Sequence, residues 1–176
     1  MIPKKIHFLW MSETKGDAVE RCLESWRHHL QDYEIIEWNK SNFPYEDFLF
    51  AREAFSKKKW AFVTDYFRLW VLEKYGGIYL DADVTVNGNF DKFLENKLFI
   101  GTEFTDQIAA HAIGAEPHHP FILKCLDYYN GRHFILPDGR CDMNAMRRGG
   151  RSSRRNRDTR PRGYAEPRKS IRFARL

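Results

Sequence analysis

Cysteine is scarce in this sequence, and long apolar runs are missing. Cys22, Cys125 and Cys141 make no C-x-x-C pair and no even set. A disulfide framework is therefore not expected; the three read as reduced thiols, small apolar side chains of a core. No apolar run approaches the ~20 residues of a membrane span, and no signal-peptide pattern precedes the first strand. The expected location is cytoplasmic, with peripheral attachment at the inner membrane face left open. Basic charge is also missing from most of the chain. Residues 1–146 hold seventeen Lys and Arg against twenty-two Asp and Glu, a net −5. Residues 147–176 hold twelve basic residues, eleven of them Arg, against Asp158 and Glu166, a net +10. The overall +5 thus describes the tail, and no nucleic-acid partner is expected for the body.

Aromatic residues, in contrast, are abundant, at 15% of the chain. A length of 176 residues indicates one domain, able to bury roughly 70% of its unfolded surface. Lys4–Trp10 reads as a buried first strand, with Ile6, Phe8 and Trp10 on one face. Asp17–Leu30 has helical spacing through Ala18, Cys22, Leu23, Trp26 and Leu30. Tyr33–Trp38 reads as a second strand, Tyr45–Phe55 as a short helix, and Lys57-Lys58-Lys59 as a solvated lead-in to the next helix. This β-α-β order predicts an α/β fold with a mainly parallel central sheet.

The chain is organised around residues 59–86. Ala61–Tyr75 is an almost unbroken apolar helix, interrupted only by Asp65 and Arg68 one turn apart. Gly76-Gly77 stops it. Ile78-Tyr79-Leu80 is a short strand, and Asp81-Ala82-Asp83 follows at once. In an extended segment residues i and i+2 share a face, which aims both carboxylates one way past the strand end. Two like charges so close call for a cation between them. All-oxygen ligands suit Mn²⁺ or Mg²⁺, completed by water and substrate phosphate. The carboxyl end of a strand in an open α/β sheet is also where ligands bind.

Ala61-Phe62-Val63-Thr64-Asp65, Arg68 and then Gly76-Gly77-Ile78-Tyr79-Leu80-Asp81-Ala82-Asp83 resembles the DXD sugar transferases of glycosyltransferase family 32. The opening Ile2-Pro3-Lys4-Lys5-Ile6-His7 with Trp10, and Trp38-Asn39, resemble the same family. The resemblance covers residues 1–146. It implies a GT-A-type single Rossmann-like domain and a metal-dependent, retaining hexosyltransferase. Its partners are a UDP- or GDP-sugar donor and a saccharide acceptor, as in the synthesis of a bacterial capsule or other surface polysaccharide. By resemblance, Trp10 stacks on the donor base, a contact worth ~1–3 kcal/mol in other systems. Asp65 meets ribose or sugar hydroxyls, and Arg68 the sugar and diphosphate. Asp83 ligates the metal and Asp81 assists through ribose or water. Glu103 and Asp106, in a polar loop between two further expected strands, stand near the transferred sugar, and Asn144 opens the acceptor side.

Val84-Thr85-Val86 is expected to continue as a strand, Lys97–Gly101 and Ala109–Gly114 to form two more, and Phe121–Asn130 a helix entered through Pro120. His7 reads as a packed strand residue, and His118-His119 as part of the helix entry. From Arg147 the periodic pattern and the resemblance both stop. The tail is expected to be disordered or out of frame, with the C-terminal part of the fold truncated or aberrant. Two other functions compete. One is a non-catalytic, nucleotide-binding remnant. The other is a haloacid-dehalogenase-like phosphatase using Leu80-Asp81-Ala82-Asp83-Val84-Thr85, although the later paired-Asp motif of that class is lacking.

Overall fold

The computed structural model describes residues 1–103 and 107–143, with the backbone of 172–174. Strand β1 (Lys5–Leu9) leads through helix α1 (Asp17–His29) to β2 (Glu34–Trp38). Helices α2 (Leu49–Ser56) and α3 (Trp60–Tyr75) follow, then β3 (Gly77–Leu80), β4 (Leu98–Glu103), β5 (Gln107–Ala115) and α4 (Pro120–Asp127). A short strand β6 (Arg172–Ala174) completes the described elements. The sheet order is β2-β1-β3-β5-β4-β6. β1 pairs in parallel with both β2 and β3; β5 is antiparallel to β3 and β4, so β1 to β4 all run the same way.

Alternation along the strands explains the layering. Ile6 and Phe8 of β1 and Ile78 and Leu80 of β3 pack with Leu23, Trp26 and Leu30 of α1. Leu9 and Tyr79 point the other way, into a core with Phe67, Val71 and Leu72 of α3 and Phe50 and Ala54 of α2. A period of two sends alternate side chains to opposite faces, so the sheet lies between α1 on one side and α2 and α3 on the other. From β1 the chain goes to β2 on one flank, then returns through α3 to β3 on the other. The crevice between the carboxyl ends of β1 and β3 is therefore the topological switch point.

Helix α3 and β3 meet almost without a loop. Gly76 and Gly77 have φ of 61° and 94°, which side-chain-bearing residues adopt at a cost. A Cβ on Gly77 would also stand 2.8 Å from the Lys5 carbonyl oxygen. His7 clamps this joint. Its Nε2 donates to the Gly76 carbonyl (3.0 Å), and its Nδ1 accepts from Trp38 Nε1 (3.1 Å). Burial, its dominant influence, lowers the His7 pKa to about 4, so the ring is neutral. His7 is thus the packed strand residue expected, and Trp38 is core, its ring beside Phe67 and Trp70.

Three local expectations change. The helix expected over Tyr45–Phe55 is broken at Phe48, whose extended backbone (φ −112°, ψ 111°) separates a 3₁₀ turn, Tyr45–Asp47, from α2. Asp81–Asp83 is not extended, since Val84 N–H donates to the Asp81 carbonyl (3.1 Å) across a turn at Ala82-Asp83. Val84–Val86 is not a strand despite its β-branched composition. The Val84 carbonyl accepts from Trp26 Nε1 (2.7 Å), and Val86 N–H donates to Ser25 Oγ (3.0 Å). Helix α1 takes the backbone groups that a neighbouring strand would have used.

Candidate functional site

Helix α3 can be nearly all apolar because it is covered on most sides. Val63, Phe67, Leu69, Val71 and Leu72 are buried. Asp65 and Arg68, three residues apart, lie on one side of it and form an ion pair of 3.1 Å. The Arg68 side chain is only 9% exposed and that of Asp65 17%. A buried charge is tolerated only when well partnered. Arg68 Nη2 stands 3.5 Å from Asp81 Oδ1, at the end of β3. Arg68 Nη1 donates to the Ala110 carbonyl of β5 (3.1 Å). The guanidinium also lies 5.0 Å from the centre of the Tyr79 ring, a cation–π contact.

Tyr79 closes the network by donating its hydroxyl to Asp81 Oδ1. It is two residues before Asp81, so the chain itself supplies the partner. Asp81 is further fixed by its own N–H, which donates to the His111 carbonyl (2.9 Å). Burial pushes the Asp65 carboxyl above its ordinary range, with Arg68 pulling it down and Asp81 pushing it up. Burial works against the Arg68 charge too, yet Tyr79, Asp81 and Asp65 together hold it above its usual value. Tyr79 is raised well above normal by burial first, and so stays a phenol that donates. One nitrogen is left over: Arg68 Nε is buried without a hydrogen-bond partner among the described residues.

Trp10 stands at the same edge of the sheet. The register pairs His7 with Tyr79, so Trp10 and Ala82 each come three residues after that pair, past the ends of β1 and β3. Trp10 and Ala82 both pack against the α1-side core, and Trp10 Nε1 donates to the Thr14 carbonyl (3.1 Å), leaving the indole partly exposed. The structure thus joins Asp65, Arg68 and Asp81 in one network, with Trp10 and Asp83 at the same switch point. Sequence reasoning gave no role to Tyr79, although its place two before Asp81 on a strand was the signal. The Ala110 carbonyl had no signal, because backbone atoms carry no residue type. The Glu103 side chain, Asp106, Asn144 and residues 147–171 lie outside the described residues.

Asp65 and Asp81 both pair with Arg68, and Asp83 follows two residues after Asp81. Among the described residues no three His, Cys, Asp or Glu are grouped to hold an ion by themselves. The donor set nevertheless fits Mn²⁺ or Mg²⁺, which take one or two carboxylates and fill the remaining positions with water and phosphate oxygens.

Residues 16–100 match the family described as the glycosyltransferase sugar-binding region containing DXD motif. The mannosyl phosphorylinositol ceramide synthase of Saccharomyces cerevisiae is 29% identical over 133 residues, 72% of this chain and 34% of that protein. Inositol phosphoceramide mannosyltransferase 3 of Schizosaccharomyces pombe is 28% identical over 135 residues, 70% of this chain and 36% of that protein. The chain therefore spans about a third of the length of these curated relatives. Among solved structures, the PaToxG glycosyltransferase has the same fold, with a TM-score of 0.56 at 18% identity over 72% of this chain and 59% of that one. The matched segment, residues 16–100, runs from α1 to the start of β4 and so carries both motif aspartates, Asp81 and Asp83, within a region similar to the sugar-binding region of the DXD-containing glycosyltransferases.

Proposed function

We propose that the chain binds a nucleotide-sugar and transfers its hexose to a hydroxyl acceptor, with Mn²⁺ or Mg²⁺ and with retention of anomeric configuration. The observation that carries this reading is the Asp65–Arg68–Asp81 network at the switch point, in which Arg68 Nε has no partner among the described residues. Trp10 offers a flat face to the base. Arg68, held by two carboxylates and a carbonyl, offers fixed positive charge and its Nε to the sugar or diphosphate. Asp65, desolvated and paired on one side, accepts from hydroxyls of the ribose or sugar. Asp81 is engaged by Tyr79 and Arg68, which suits it to a positioning part, and the resemblance to the DXD family makes Asp83 the principal metal carboxylate. The ion, when bound, supplies Lewis-acid stabilisation of charge on the leaving diphosphate. Because these groups are fixed before substrate arrives, they stabilise the transition state without reorganising.

One relative is named a mannosyl phosphorylinositol ceramide synthase and the other an inositol phosphoceramide mannosyltransferase. Mannose is accordingly the first hexose to test, and a polyol headgroup stands beside a surface polysaccharide as acceptor. Thermal shift with UDP and GDP, each with and without Mn²⁺, tests the donor half-site, since a ligand of the native state raises stability by mass action. The expected result is a Mn²⁺-dependent shift with one nucleotide, lost in Asp83→Ala. A shift that persists in that variant overturns the metal assignment. A cooperatively melting protein that responds to neither nucleotide overturns the donor site itself.

A further inference from the structure

The turn between α2 and α3 holds three lysines in a row. Lys57 caps α2, Lys59 caps α3, and Lys58 between them has φ of 54°, the left-handed region that lysine seldom adopts. All three are exposed. Lys4, Lys5, Lys15 and Lys40 each stand within 3.5 Å of a carboxylate. Lys57, Lys58 and Lys59 meet none among the described residues. Lys74, Lys92, Lys97 and Lys124 also lack a carboxylate partner among the described residues, but singly; here three such lysines stand in a row. Trp60 follows directly, 41% exposed. Its ring lies edge-on to Phe55 (5.1 Å), which stacks on Tyr45 (4.0 Å). The turn thus presents a concentrated positive charge with an aromatic ring at its margin.

Its place in the fold matters as much as its chemistry. Helix α3 runs back against the direction of β3, because only Gly76 lies between them. The amino end of α3 therefore lies toward the carboxyl ends of β1 and β3, the edge that carries Trp10 and Asp81. Asp65 is five residues into the helix from Trp60, and a helix has about 3.6 residues per turn, so the turn begins about one and a half helical turns beyond the buried network.

We infer that Lys57–Trp60 is a contact for an anionic lipid surface, and that it turns the sugar-binding edge of the sheet toward the membrane. Lysines beside an anionic leaflet contribute about 1 kcal/mol each, and tryptophan favours the level of the headgroups. Charge complementarity selects the anionic surface as occupant, and the exposed ring distinguishes it from a soluble polyanion. No helix of the described residues is long and apolar enough to cross a membrane, and the inference needs none.

The Arg-rich residues 147–176 can also attract anionic vesicles, so the test must read the turn itself. The full chain is mixed with vesicles of phosphatidylcholine, alone or with phosphatidylserine, carrying brominated acyl chains that quench a nearby indole. Tryptophan quenching is expected with the phosphatidylserine vesicles only. Trp60→Phe should abolish it, and added salt should weaken it. Replacing Lys57, Lys58 and Lys59 together by Gln should weaken the partition that yields quenching on the order of a hundredfold. These side chains are exposed, so melting of each variant should match the parent. Quenching that survives Trp60→Phe overturns the inference. So does sedimentation with the vesicles unaccompanied by quenching, which would assign the binding to the tail.

Discussion

The two faces of the sheet are built differently. On the α1 side the core is apolar, and its principal polar contributions are made outward to the chain beyond the motif. Trp26 donates to the Val84 carbonyl, Ser25 accepts from Val86 N–H, and Tyr33 donates to Asp91. On the α3 side, ionised and polar side chains are packed into the core itself: Arg68 with Asp65, Asp81 and Tyr79, and His7 with Gly76 and Trp38. One face holds the motif's loop in place. The other, on the proposed function, supplies its chemistry, and it depends on every partner being present, because a buried charge without one is costly.

That contrast can be broken first at Arg68. Arg68→Met strands two carboxylates beside an apolar helix, and the expected loss is about 3–5 kcal/mol by chemical denaturation, together with loss of nucleotide-dependent stabilisation. A smaller break is available through pH. Unfolded, His7 takes up its proton near 6.5; folded, only near 4. Its contribution is intact above pH 6.5, declines as pH falls, and below pH 4 is lost to the extent of about 3 kcal/mol. His7→Gln should flatten the urea-midpoint profile between those two values; a slope unchanged by the substitution would remove His7 as its source.

Tyr79→Phe sharpens the comparison, since the ring under Arg68 stays and only the hydroxyl on Asp81 goes. A hydrogen bond to a charged group supports a loss of about 1.5–3 kcal/mol, and donor binding should weaken with it. The smallest expected effect is on the opposite face. Trp26→Phe keeps the bulk of the ring and removes the bond to the Val84 carbonyl, for about 1 kcal/mol of stability. Because Arg68 and Asp65 are untouched, the Mn²⁺-dependent nucleotide shift should survive that variant. Its disappearance would show that the α1 face acts on the chemistry as well as on the loop.

Much of this arrangement was legible in the sequence where local pattern decides it. Ile6 and Phe8 alternate with His7 and Leu9, Gly76-Gly77 ends α3, and Asp65 and Arg68 at i, i+3 had to meet. What local pattern could not show came from distant parts of the chain. Val84-Thr85-Val86 has strand composition, yet Trp26 and Ser25, far away in sequence, claim its backbone. The turn at Ala82-Asp83 changes how the two aspartates of the motif are presented, and D-x-D alone does not state it. The Ala110 carbonyl reaches Arg68 only because β5 lies next to β3.

The near-absent loop between α3 and β3 has a consequence for variation. Arg68 and Asp81 are thirteen positions apart, and their contact depends on how far the helix has rotated when the strand begins. One added residue in a helix turns the part before it by about 100° relative to the part after it. A single insertion between Arg68 and Gly76 would swing the guanidinium away from Asp81 without altering any letter of the site. This stretch is a ruler: replacements can be absorbed one at a time, but a change of length cannot.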